Sequence, residues 1–161
     1  MIEILISITI IAFAISGILA LSTFSSEAST LTRKTGQARD AAQEVMEAVR
    51  NFRDSVAWQN DDPQNKYDGL GIVSAGTAYH PEKSTSTSPC WMLLTGQQAS
   101  NGFIRQVVFE NVSRDANDDI EPVYNPADND PGTKKVVATV SWQEKARTHQ
   151  FQLTTYLTNW R

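Results

Sequence analysis

The chain has 161 residues, 40% of them hydrophobic and 20% charged, with a formal net charge of −4. This is the size of one ordinary domain and excludes a multidomain enzyme. An excess of 18 carboxylates over 14 bases disfavours a general nucleic-acid binder, whose footprint is basic, and a single cysteine, Cys90, excludes both an intrachain disulfide framework and a Cys-rich zinc site.

A mean hydropathy of −0.34 hides a steep gradient along the chain. From Ile4 to Phe24 the sequence runs ILISITIIAFAISGILALSTF, 21 residues without a charge. As a helix this segment is about 30 Å long, enough to cross a bilayer. A secretory signal peptide would open on Lys or Arg, whereas here Glu3 stands at the head, no base precedes Arg33, and Ala20-Leu21-Ser22 is a loose cleavage match. A buried soluble helix of this length would need wrapping on every side by a remainder that is mostly polar. Membrane insertion of roughly residues 4–24 is therefore the expectation.

The helical pattern continues and becomes amphipathic. Leu31, Ala38, Ala42, Val45, Val49, Phe52 and Val56 form one apolar stripe, and Arg33, Lys34, Arg39, Asp40, Glu44, Glu47, Arg50, Arg53 and Asp54 occupy the other faces. Glu47 and Arg50 are spaced to pair weakly, and Gly36 is the one weak point. The pattern predicts one helix from residue 2 to about 57, some 80 Å at the standard rise, ended by Asn60-Asp61-Asp62-Pro63. Residues 1–57 then form a long amino-terminal helix, and residues 58–161 a globular head.

Glu3 carries the functional expectation. A carboxylate at bilayer depth costs about 2.5–3.5 kcal/mol, and less near the interface, so it calls for a partner. One reading leaves it among headgroups, favoured by the helix dipole; the other gives it an intermolecular partner. Ala12, Ser16 and Ala20 recur at spacing four with Gly17 beside them, lining one side with small residues that permit close helix packing.

The run Met1-Ile2-Glu3-Ile4-Leu5-Ile6-Ser7-Ile8 resembles the mature amino terminus of type IV pilins and type II secretion pseudopilins. In that family the mature chain opens on a methylated, usually aromatic residue, and a glutamate four places on corresponds to Glu3. On that alignment the first two mature residues stand ahead of Met1. The resemblance implies that Glu3 neutralises the free amino terminus of a neighbouring subunit as the chain leaves the membrane and joins a helical filament. It also implies the partners: copies of the same chain or related pilins, a prepilin peptidase and an inner-membrane assembly platform. By the same resemblance the chain is a single-pass plasma-membrane protein with its head outside, and then part of an extracellular or periplasmic filament. Many pilins carry a helix-breaking proline in the greasy half; here the first proline is Pro63, and Gly17 is the position that would permit local melting.

Residues 59–89, with Pro63, Gly69, Gly71, Gly76, Pro81 and Pro89, read as a long surface connection, whose unusual length points to a functional or packed loop. Four β-like stretches follow, at 90–95, 103–112, 135–142 and 149–158. Phe151, Leu153, Thr155 and Leu157 alternate with polar residues, and Val136, Ala138, Val140 and Trp142 share one face. The predicted fold class is α+β: a long amino-terminal helix whose second half packs on an antiparallel sheet. This is also the pilin-like fold that the resemblance implies. The stretch from Val140-Ser141-Trp142 to Thr155-Tyr156-Leu157-Thr158-Asn159-Trp160 is similar to the minor pseudopilin and pilus-modification group.

Ser113 to Gly132 is the most acidic segment. Asp115, Asn117 and Asp119 have the alternate spacing of calcium loops, but Ile120 stands where a glycine is needed and no bidentate Glu follows. A solvated loop with Asx turns is the competing account. His80 and His149 lack ligand-spaced neighbours, Cys90 reads as a small buried hydrophobe, Gly69-Leu70-Gly71 lacks the lysine of a phosphate loop, and no catalytic role is expected. Three function classes remain: a filament subunit; a filament-tip or surface binding module acting in adhesion, DNA uptake or secretion through residues 59–89 or the acidic loop; and a single-pass anchored ectodomain.

Overall fold

The structure is a computed structural model and describes residues 1–85 and 90–160. The chain groups into two compact units, Met1–Gln37 and Ala38–Arg161. A 54-residue helix, α1 (Ile2–Ser55), supplies the whole of the first unit and the opening turns of the second.

In the second unit the helix meets an antiparallel sheet of six strands: β1 (Ala78–Lys83), β2 (Trp91–Thr95), β3 (Gln98–Ser100), β4 (Phe103–Ser113), β5 (Asn129–Glu144) and β6 (Arg147–Thr158). Their order is β2-β1-β4-β5-β6, with β3 pairing β4 near its start. The β3–β4 turn is Asn101-Gly102, both at positive φ (52° and 80°), the conformation in which a two-residue turn matches strand twist. β5 and β6 form one unbroken hairpin from Glu144↔Arg147 to Thr133↔Thr158. A bulge at Asn111/Val112 bends the far end of β4.

The core lies between the stripe and one sheet face. Ala38, Ala42, Val45, Met46, Ala48, Val49 and Phe52 are buried on α1, against Val107 and Phe109 of β4, Val136, Ala138, Val140 and Trp142 of β5, and Leu157 of β6. Alanines at 38 and 42 leave room for Trp142, which also takes the edge of Phe103 at 5.9 Å between centroids. Leu31, expected on this stripe, is instead exposed and belongs to the first unit.

The helix ends at Ser55, two residues short of the expected end at about 57, and Val56 N–H still continues its bonding pattern, to Phe52 O. The four expected stretches appear as β2, β4, β5 and β6, with β5 starting at Asn129. Residues 59–89, expected to be a surface or packed connection, bury Leu70, Val73 and Tyr79 and also hold β1, a strand not expected there; residues 86–89 lie outside the described residues. Trp58 organises this segment. Its Nε1 donates to Pro131 O at 3.0 Å and its carbonyl accepts from Gly71 N–H.

Candidate functional site

The first unit is a helix with every large apolar side chain facing outward. Ile2, Ile4, Leu5, Ile6, Ile8, and onward through Phe24, are all more than half exposed. Among the described residues α1 is the single helix long and apolar enough to cross a membrane; its most apolar 18-residue window has a mean hydropathy of 2.7 and no buried residue. Exposed apolar surface on this scale marks contact with lipid or protein.

Seven hydroxyl groups in and after this run donate to carbonyls of the helix itself. Ser7 Oγ donates to Glu3 O, Thr9 to Leu5 O, Ser16 to Phe13 O and Thr23 to Leu19 O. Thr30, Thr32 and Thr35 repeat the pattern with Ser26, Ala28 and Leu31. A side chain that bonds to its own previous turn presents no unmet donor to hydrocarbon, which removes most of the cost of its polarity there. Sequence reading missed this, although the signal was present: each is a Ser or Thr inside a helical run, where the hydroxyl reaches back to a carbonyl of the previous turn as a second donor.

Glu3 lies in the first turn of α1, where a negative charge is favoured by the dipole, and its side chain is exposed. Ala12, Ser16, Gly17 and Ala20 are exposed as well, and a Cβ built on Gly17 would meet nothing within 4 Å. The small-residue side is thus open along two turns of the helix, and close approach of another helix there is limited by backbone and not by side chains.

In the head, the acidic loop closes around one carboxylate. Asp115 Oδ1 accepts from the Asp119 and Asn117 N–H groups at 3.0 and 2.8 Å, and those bonds, led by Asp119, hold its pKa below the usual carboxylate value. Asp118 takes a left-handed φ of 67° to close the turn. Arg114 anchors the base of the loop, with Nε on Asp130 Oδ2 at 2.7 Å and Nη1 on Asp118 O. The alternate spacing of Asp115, Asn117 and Asp119 serves an Asx-type turn here. Among the described residues no three His, Cys, Asp or Glu side chains gather as a metal-sized group.

The head also carries a groove of about 380 Å³ where α1 passes β1, β2 and β3. Its charges are paired internally: Arg105 bonds Glu44 and Gln98, and Lys83 Nζ sits 5.0 Å from the Trp91 ring centroid. His80 Nδ1 lies 3.2 Å from Gly96 O, and His149 stacks on Trp142. These are structural contacts of the sheet, and they bring no nucleophile and base together.

The chain matches no family model, and neither a curated protein nor a solved structure matches it significantly.

Proposed function

We propose that the chain is a structural subunit of a type IV pilus-like or pseudopilus-like filament, with a pilin-like fold and closest in character to the minor or pilus-modification group. The observation that carries this reading is a fully exposed apolar helix headed by one carboxylate, Glu3, on a head that has a core of its own.

Before assembly the segment at about 4–24 is held in the plasma membrane with the head outside. Transfer from lipid to a helix bundle exchanges one apolar surrounding for another, so burial of hydrocarbon alone drives little association. Close packing along Ala12, Ser16, Gly17 and Ala20 supplies one favourable contribution. Pairing of Glu3 with the amino terminus of a neighbouring copy supplies the other, since it relieves a carboxylate that would cost about 2.5–3.5 kcal/mol alone at bilayer depth. The partners are further copies or related pilins in an extracellular or periplasmic filament, served by a prepilin peptidase and a membrane assembly platform.

Glu3→Ala and Glu3→Leu test the reading. Both variants should stay in the membrane fraction and fail to enter sheared or secreted filaments. If wild-type and variant chains remain equally in the membrane and no filament contains either, the chain is a single-pass anchored ectodomain instead.

A further inference from the structure

The two edges of the sheet, β2 and β6, are treated differently by the chain. On β2 the Leu93 N–H donates to Lys66 O at 3.0 Å, so the loop around residue 66 covers that edge. β6 pairs with β5 alone, and among the described residues no backbone hydrogen bond reaches its far side. This bare edge is 12 residues long, keeps one register throughout, and contains no proline. From Thr148 to Trp160 it carries no Lys, Arg, Asp or Glu. Free edges of this length are ordinarily blunted by charge, proline or a bulge, because their backbone groups otherwise recruit another strand. Phe151 and Leu153, on the core-side face of β6, are only half buried against Ala38, Ala42, Val140 and Trp142.

We propose that the free edge of β6 is an interaction surface for the same strand of a second copy, paired antiparallel about a two-fold axis. Such an axis stands perpendicular to the sheet, so core-side residues can meet only core-side residues of the partner strand. Centred on Gln152, the pairing sets Phe151 against the second copy's Leu153 twice over and completes the apolar row that α1 leaves half covered. The opposite face then pairs Gln150 with Thr154. Arg147, the one formal charge on the strand, falls opposite Leu157, and no like charges meet. A strand whose one charge falls opposite an apolar residue does not repel a copy of itself, which is what a homotypic edge requires, and from Thr148 onward a charged partner strand would find no counter-charge.

The rotation reverses residues 38–55 of one copy relative to the other. The contact therefore joins heads that arrive from opposite directions, such as those of two adjacent antiparallel filaments, and not side-by-side neighbours within one polar filament. It is closed and does not propagate. It does not depend on Glu3, so it stands or falls apart from the filament reading.

The test uses the full chain in detergent. Gln150→Lys, Gln152→Lys and Thr154→Lys are combined in one variant, and the same three positions are changed to Glu in another; all three side chains are exposed in the single chain. Wild type should dimerise with concentration in sedimentation, and each triple variant should weaken dimerisation about tenfold while keeping the wild-type circular dichroism. Differently tagged Lys and Glu variants should co-purify when mixed, whereas Lys with Lys and Glu with Glu should not. A wild type that stays monomeric at every concentration overturns the proposal. So does equal co-purification of all three combinations, which would place association in the apolar helix; a triple variant that loses its fold is replaced by single changes at Gln152.

Discussion

Arg105, near the start of β4, reaches across to Glu44 on α1, with 3.0 Å between Nη1 and Oε2. Its second Nη donates to Gln98 Oε1 on β3, so one guanidinium ties the helix to the two strands that meet at the Asn101-Gly102 turn. Glu44 is 63% exposed and Arg105 only 16% exposed, which makes the pair unequal. Glu44→Ala should cost less than about 1 kcal/mol, as screened pairs do. Arg105→Ala removes both bonds and the buried stem, and should cost more. Thermal unfolding of both variants checks the order; equal losses would show that the arginine acts through the ion pair alone.

Phe52 and Leu31 were placed on the same stripe by their spacing, yet one is fully buried and the other exposed. Phe52→Ala should destabilise the head by about 3–5 kcal/mol, through lost transfer energy and the cavity left behind. Leu31→Ala should change head stability by less than about 0.5 kcal/mol. Urea unfolding followed by tryptophan fluorescence reads both, and a large loss for Leu31→Ala would assign it to the core after all.

Gly69 is packed against the main chain. A Cβ there would stand 2.2 Å from Ala57 O and 2.3 Å from Trp58 O. Neither atom is the end of a flexible side chain, so Gly69→Ala must displace the turn that seats Trp58. The expected result is a loss above about 2 kcal/mol and a red shift of tryptophan emission. Gly76→Ala makes the contrasting control, because its Cβ would meet open space and only its φ of 77° is strained.

Lys134 points into the core side of β5 at 6% exposure, with Nζ on Asn111 Oδ1 at 2.7 Å. Burial pushes its pKa below 10.5. Because the folded value is depressed, the unfolded chain binds more protons in the window between the lowered value and 10.5, and stability rises with pH across it. Below that window the protein carries a buried charge at a cost. Lys134→Met should therefore raise Tm at neutral pH, and the gain should shrink as pH approaches 10.5. A fall in Tm at pH 7 would show that the bond to Asn111 outweighs the desolvation.

The long helix and four of the strands were legible in the sequence because each writes its period directly. An unbroken apolar run, steps of three and four from Ala38 to Phe52, and alternation from Phe151 to Leu157 need no partner to be recognised. The outward apolar surface and the lone carboxylate at its head follow from the same run. β1 was illegible: Ala-Tyr-His-Pro-Glu-Lys has no alternation, and it becomes a strand only because β2 pairs with it from Tyr79 to Lys83 and β4 pairs with Ala78 and Tyr79. Pro81 is tolerated because it lies past the last residue paired with β4.

What the amino-acid order determined alone was therefore the features written in local periodicity: the greasy helix, its polar continuation and the alternating strands. The tertiary structure decided what depends on distant pairs. It placed Leu31 outside the core and Leu70 inside it, covered the β2 edge with Lys66, and left β6 bare. Periodicity reports which side of an element is apolar, whereas only the packed chain reports what that side, or that edge, meets.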